Sequence, residues 1–366
     1  RSLWLKQQVE PALIHIVCRM ALTLTTSRPD DETKFAPNRP GVFNRGACAV
    51  QHWIMPGSDF LPEPDRYHLF INYGCGWSHQ AMLTLAVKGL LKIVSMSHVG
   101  MTRLGKGRND PDYRGWSVPS DPTGNGFTSA YDIYNAASEY GRQQLTIPIL
   151  FDKKTKRVVS NDPAHILLMF NASFQEWAEN KEDLYPPELQ EEIEEVNAVI
   201  YPGVNDGVYR CWFADEPAYQ ESARLVREAF DWMEKRMTAQ GDFLVGHRLT
   251  LADIRAFPHF FRFDVIYHKL MFRDPRGPYL KETNPKTIAW MEQVFSTPAV
   301  KEMSDLEVAA HFYLSESDAE CDALYEKLKE PWMQTAEELK SKRQRQGLVV
   351  GAVYKPTEGV DLTALV

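Results

Sequence analysis

A strand that turns through a cysteine into a helix limits what this chain can fold into more than any other stretch. Tyr67 to Asn72 is rich in aromatic and β-branched residues and reads as a strand. Gly74 and Gly76 bracket Cys75 and free the backbone for a sharp turn. From Ser78, read as the N-cap, Met82, Leu83, Leu85, Ala86 and Leu90 recur at helical spacing. Cys75 is thereby expected just before a helix N-terminus. Peptide dipoles and free N–H groups there favour an anion, and so a thiolate. The rival reading is a small apolar residue filling a gap under the helix.

The neighbouring segments extend this into a mixed unit. Leu91–Met96 reads as a parallel strand after the helix, which makes a β-α-β pattern. The glycine-bearing polar segment from about Gly100 to Gly126, with Trp116, reads as a loop at the open end of the sheet. A helix follows from Ser129 to Tyr140, then strands at Thr146–Phe151 and Arg157–Ser160 flanking a turn, then a helix from Asp162 to Asn171. This order, β-α-β-α-β-β-α, is that of a thioredoxin-like domain.

From about Tyr185 the periodicity is helical throughout. One face is marked by Leu189, Ile193, Val196, Val199 and Ile200, another by Ala223, Val226, Ala229, Phe230 and Met233. Thr250 and Asp253 form a capping box opening a helix over Ile254–Tyr267, and Trp290, Met291, Val294 and Phe295 mark a further one. Arg262 and Asp264, charges inside a helical domain, are expected in buried ion pairs. The division expected is an N-terminal extension at 1–50, a thioredoxin-like domain at 51–175, an all-helical domain at 185–316 and a C-terminal extension at 317–366. The first extension holds a possible helix over Leu3–Leu24, and the last holds a basic cluster of Lys340, Lys342, Arg343 and Arg345 read as a solvated helix end.

Composition narrows the function. The 366 residues are 44% hydrophobic and 25% charged, ordinary for a soluble globular chain of two domains. A net charge of −8 argues against a general nucleic-acid binder. Five dispersed cysteines without CxxC or Cys/His spacing argue against a disulfide scaffold or a structural metal site. They fit a reducing intracellular compartment, the cytoplasm or an organelle (chloroplast or mitochondrion) after removal of a targeting peptide. No transmembrane segment is apparent: the most apolar early run, Ala12 to Leu24, is short and carries His15 and Arg19.

A thioredoxin-like half with a cysteine at its first helix, followed by a helical half with a Thr-x-x-Asp box, resembles a glutathione transferase. Finer motifs resemble the xi class, the glutathionyl-hydroquinone reductases. They are Arg66–Phe70 leading to Cys75–His79, Thr146–Lys153, Ser160–Asn161, Val204–Arg210 with Phe213–Ala214, Leu249–Arg255, Arg262–Tyr267 and His311–Tyr313. The resemblance runs in order over about residues 50–316.

It implies that Cys75 is the nucleophile of a glutathione-dependent thiol reductase acting on glutathionyl-hydroquinones through a cysteine–glutathione mixed disulfide. It implies that Trp77, Trp116, Ile147, Pro148 and Asp162 hold glutathione, the co-substrate, and that Tyr209 and Tyr267 meet the quinol oxygens. In such a domain a proline at the Pro148 position is often cis. Packed aromatics are the rival reading for all four ring residues. The partners implied are glutathione and a quinol-type molecule, with a homodimer or a larger assembly through the extensions.

Three departures support an alternative, a catalytically degenerate structural subunit of a larger protein complex, an organellar one included. Gly76 replaces the family's proline, Gln80 replaces its arginine, and Asp162-Pro163 replaces the Glu-Ser pair that binds the γ-glutamyl end of glutathione. Pro163 has neither hydroxyl nor N–H. Each charge-assisted bond lost is worth roughly 1.5–3 kcal/mol, about an order of magnitude or more in affinity.

Overall fold

The computed structural model describes residues 48, 50–100, 103–104, 111–137, 145–273, 279–314, 338 and 341. The helix read at Leu3–Leu24, the basic cluster at Lys340–Arg345 and nearly all of both extensions lie outside the described residues.

The mixed half begins with β1 (Tyr67–Ile71), buried along its whole length. It turns through Cys75 into α1 (Gly76–Val87) and returns as β2 (Ser95–His98). A short hairpin follows, β3 (Arg103–Leu104) and β4 (Gly115–Trp116). Then come α2 (Ala130–Tyr134), β5 (Ile149–Asp152), β6 (Arg157–Ser160) and α3 (Pro163–Ala172). The sheet has four strands in the order β2-β1-β5-β6, with β1–β2 parallel and the other pairs antiparallel.

Strand alternation sorts the side chains into two cores. Leu69, Ile71, Leu150 and Val159 face α1, α3 and the helical half, in one continuous cluster. Phe70, Ile149, Phe151 and Val158 face the other way, onto Trp116, Ile133 and Tyr134. Arg66 ties the start of β1 to the end of β5 by a two-pronged contact with the buried Asp152, Nε to Oδ1 at 3.0 Å and Nη2 to Oδ2 at 2.6 Å. Residues 50–52 cover the free edge of β6: the His52 N–H donates to Val159 O at 2.8 Å and the Asn161 N–H to Val50 O at 3.2 Å.

The helical half runs through α4 (Gln190–Ile200), α5 (Gly207–Phe213), the long α6 (Glu216–Gln240) and α7 (Leu251–Arg262). It closes with α8 (His268–Met271), α9 (Leu280–Thr283), α10 (Pro285–Ser296), α11 (Pro298–Met303) and α12 (Leu306–Leu314). Two π-helical turns interrupt it, Tyr201–Asn205 before α5 and Phe263–Tyr267 after α7. Asp253 anchors α7: it accepts from the Thr250 N–H at 2.9 Å, the Leu244 N–H at 2.9 Å and Trp290 Nε1 at 2.9 Å.

Several expectations shift. The first helix starts at Gly76 and its N-cap is Cys75, because the Ser78 hydroxyl is turned back to accept from the Asn72 N–H at 3.2 Å. That helix ends at Val87, and the run Leu91–Met96 is spent mainly on a turn, so the strand lies later, at Ser95–His98. Leu91 is 44% exposed. The segment read as a loop holds the β3–β4 hairpin, too short to carry a periodicity. The helix read at Ser129–Tyr140 is described only over Ala130–Tyr134. Arg262 and Asp264 form no carboxylate ion pair among the described residues. Asp264 instead accepts from the Leu280 and Lys281 N–H groups, at 2.7 and 3.0 Å, and so holds the start of α9.

Candidate active site

The turn before α1 is shaped by its own polar groups. Asn72 accepts from the Gly74 N–H through Oδ1 at 2.8 Å and from the Cys75 N–H through its carbonyl at 3.0 Å. Cys75 then caps the helix: its Sγ accepts from the Ser78 N–H at 3.5 Å. Sulfur is thus directed at the positive end of α1. Cys75 is partly buried and packs against both core clusters, so it stands at the seam between them.

From the helical half, Arg262 clamps this turn. Its Nε donates to Gly74 O at 3.1 Å and its Nη2 to Tyr73 O at 3.0 Å, while Nη1 reaches Pro258 O at 2.9 Å and His79 Nδ1 at 2.8 Å. Guanidinium only donates, so His79 Nδ1 must accept and the ring proton sits on Nε2. That proton meets Ser304 Oγ at 3.1 Å, and Ser304 donates to Val300 O at 2.7 Å. A buried arginine satisfied by neutral acceptors is thereby built into the wall behind the cysteine.

On one side of Cys75 lie Trp116 and Ile147, both buried in the cluster against which Cys75 and Phe312 pack. The Ile147–Pro148 peptide bond is cis. Trp116 and Phe312 have ring centroids 5.7 Å apart. Gly74 is required there: a Cβ on it would lie 2.4 Å from the Phe312 ring.

On the other side three tyrosines meet. Tyr209 and Tyr267 have centroids 6.1 Å apart, Tyr267 and Tyr313 5.7 Å. The Tyr209 and Tyr313 hydroxyls share a hydrogen bond of 3.0 Å. The Tyr267 hydroxyl, carried on the π-helical turn, is buried and has no hydrogen-bond partner among the described residues. Burial, with Tyr209 and Cys75 adding, holds the Tyr267 hydroxyl well above the ordinary tyrosine range, so it stays a neutral donor. Burial does the same to Tyr313.

His259 joins them. Asn205 Nδ2 donates to Arg255 O at 2.9 Å and lies 2.8 Å from His259 Nδ1. The carbonyl can only accept, which fixes the amide nitrogen there; His259 Nδ1 therefore accepts and Nε2 carries the proton. A Cβ on Gly76 would lie 3.1 Å from His259 Nε2 and 3.2 Å from Tyr267 Oη. The space of the family's proline is taken by these two groups.

The remaining expected residues sit elsewhere. Trp77 packs in the interdomain core, 4.8 Å from the His259 ring and 5.6 Å from Tyr201. Asp162 caps α3, accepting from the Ala164 N–H at 3.0 Å and from Gln51 Nε2 at 2.9 Å. Its neighbour reaches the Ile147 side: Asn161 Nδ2 donates to Thr146 Oγ1 at 3.0 Å. Sequence reasoning gave no role to Gln51 or His259, and Phe312 and Tyr313 only a family match. Their sequence signal is weak, since each acts across a long separation.

Comparison with known proteins bears on the family and the fold. Residues 216–293 match the family model described as glutathione S-transferase, C-terminal domain. A glutathionyl-hydroquinone reductase, PcpF of Sphingobium chlorophenolicum, is 39% identical over 57% of this chain and 66% of its own. The reductase YqjG of Escherichia coli is 36% identical over 62% of this chain and 71% of its own. Among solved structures, the glutathione transferase Xi of Phanerochaete chrysosporium superposes with a TM-score of 0.67 at 32% identity, covering 74% of this chain and 92% of that one. The glutathione-bound structure of YqjG gives a TM-score of 0.66 at 27% identity, over 76% and 92%. No helix among the described residues is long and apolar enough to cross a membrane. With its cysteine-capped first helix on a four-stranded mixed sheet and its helical second half, the chain belongs to the xi-class glutathione transferases, the glutathionyl-hydroquinone reductase family.

Proposed function

We propose that this protein is a glutathione-dependent thiol reductase of glutathionyl-hydroquinones. The observation that carries the reading is the position of Cys75: an N-cap sulfur at a seam with Trp116 and Ile147 on one side and Tyr209, Tyr267 and Tyr313 on the other. The relatives PcpF and YqjG bear the corresponding name.

In the first step the Cys75 thiolate attacks the glutathionyl sulfur. An S–S bond forms and the carbon–sulfur bond breaks. The ring carbon keeps the electron pair and takes one proton from water, so the quinol is reduced as the cysteine is oxidised to a mixed disulfide. In the second step a glutathione thiolate attacks that disulfide, giving oxidised glutathione and free Cys75. The chain's own part is to aim the sulfur along α1, to keep the Cys75 turn fixed through Arg262, and to offer neutral phenols to the quinol oxygens.

The residues at 51–175 serve the thiol and those at 185–316 the quinol in this reading. Trp116 and the Ile147–Pro148 backbone suit the sulfur-bearing middle of glutathione. Asp162 suits its γ-glutamyl end less well, because Gln51 and Ala164 each take one acceptor position on its oxygens. That contact favours the alternative, a catalytically silent subunit.

Purified protein in excess glutathione, given a glutathionylated hydroquinone, separates the two. Release of free hydroquinone that is lost in Cys75→Ser, with a glutathione adduct on the Cys75 peptide, is expected. A folded wild type with no release and no adduct leaves the silent subunit.

A further inference from the structure

Glutathione carries an ammonium and a carboxylate on its γ-glutamyl head. A site for that head needs a free acceptor and free donors at the start of α3. Here the acceptor is partly taken: each carboxylate oxygen has two lone pairs, and one on each is in use by the protein itself. Oδ2 of Asp162 takes an N–H of Gln51 at 2.9 Å, and Oδ1 takes the Ala164 N–H at 3.0 Å. Pro163, between them, has no N–H to give. The Asp162 N–H is itself spent on Ser160 Oγ at 3.0 Å.

The Gln51 amide is held in place by its backbone. Gln51 forms an antiparallel bridge with Ser160, and its neighbours are bonded to the same edge: the His52 N–H to Val159 O at 2.8 Å, the Asn161 N–H to Val50 O at 3.2 Å. Its N–H reaches the acceptor that a ligand ammonium would use. An incoming carboxylate meets a buried Asp162 whose own carboxylate already takes the Ala164 N–H.

We infer that Gln51 is a specificity-determining residue that closes the γ-glutamyl position from within. Cys75 then exchanges with thiols through their sulfur-bearing core and takes no advantage of the γ-glutamyl group. The thiol class accepted includes small cysteinyl peptides such as cysteinylglycine. The inference rests on the thiol-exchange reading of Cys75, but it concerns only which thiol resolves the disulfide.

The test is a single turnover that needs no quinol. Cys75 is converted to its mixed disulfide with thionitrobenzoate, and Cys75→Ser protein is used to subtract labelling at other cysteines. Release of the coloured thiolate is then timed with glutathione and with cysteinylglycine. The ratio of the two rates is compared with the same ratio on free Ellman's reagent.

The expected wild-type ratio lies within about twofold of the solution ratio. Gln51→Ala is expected to raise it at least threefold by opening Asp162 to the ammonium. A wild-type preference for glutathione tenfold or more above solution overturns the inference. So does a Gln51→Ala ratio equal to wild type. If Gln51→Ala does not fold, as judged by circular dichroism, the wild-type ratio decides alone. Failure of the quinol assay with a clean ratio here would count against the quinol substrate, not against Gln51.

Discussion

Arg262 Nε donates to the carbonyl oxygen of Gly74 at 3.1 Å, across 188 positions of sequence, and so ties the helical half to the residue before the candidate nucleophile. The same guanidinium also holds Tyr73 O, Pro258 O and His79. Arg262→Ala leaves these buried acceptors without their donor. The expected loss is about 3–5 kcal/mol of unfolding free energy. Arg262→Lys keeps the charge but lacks the planar fork, and is expected to recover less than half of that. Urea unfolding of the three proteins measures it; a loss under about 1 kcal/mol for Arg262→Ala contradicts the clamp.

Two tyrosines in one cluster are expected to behave in opposite ways. Tyr313 shares a 3.0 Å hydrogen bond with Tyr209, so Tyr313→Phe removes a bond and costs about 1 kcal/mol. The Tyr267 hydroxyl is buried with no hydrogen-bond partner among the described residues, so Tyr267→Phe is expected to be neutral or slightly stabilising. Its turnover of a glutathionylated hydroquinone is nevertheless expected to fall about tenfold or more, as a donor to the quinol oxygen is lost. Equal stability losses in both variants, or full turnover in Tyr267→Phe, contradict this assignment.

What the sequence displays is what acts locally. Thr250, three residues before Asp253, announces a helix start because the partners are adjacent in the chain, and Cys75 between two glycines announces a turn. The strands with several buried aromatic or branched residues, such as Tyr67–Ile71, are equally legible. The two-residue strands Arg103–Leu104 and Gly115–Trp116 are not, as no period fits in so short a piece. Nor is the start of the helix at Gly76, since whether Cys75 or Ser78 caps depends on the Asn72 N–H claiming the serine. The site is less legible than the fold. Gln51 meets Asp162 over 111 positions, and Tyr209 meets Tyr313 over 104. Only the folded topology brings such pairs together.

Gly76 offers a test of how the site accommodates its departure from the family. Proline is sound at the first position of a helix, so the backbone alone does not forbid it. The obstacle is steric: a Cβ there lies 3.1 Å from His259 Nε2 and 3.2 Å from Tyr267 Oη. Gly76→Pro is expected to cost about 1–3 kcal/mol by overpacking. In a His259→Ala background the same change should cost at least about 0.5 kcal/mol less, because one of its two obstacles is gone and only the Tyr267 hydroxyl remains. A double-mutant cycle by urea unfolding reads this coupling, and strict additivity contradicts the steric account.

His68 sets the expected response to acid. It is 1% exposed on β1, with Ser95 and Ser97 hydroxyls each 2.7 Å from a ring nitrogen. Burial, with Lys153 adding, lowers its pKa from 6.5 to about 4. The folded-state value lies below the unfolded one, so between these values the unfolded chain binds a proton that the folded chain does not. Stability is therefore full above pH 6.5 and falls as the pH drops towards 4, by about 3 kcal/mol from this one group. His68→Gln removes the titration while leaving all other groups in place. The difference between the two unfolding free energies should shrink steadily between pH 6.5 and 4, as wild type loses stability that the variant does not. Parallel curves across that range would show that His68 is charged in the folded protein, and that its two serines accept from it.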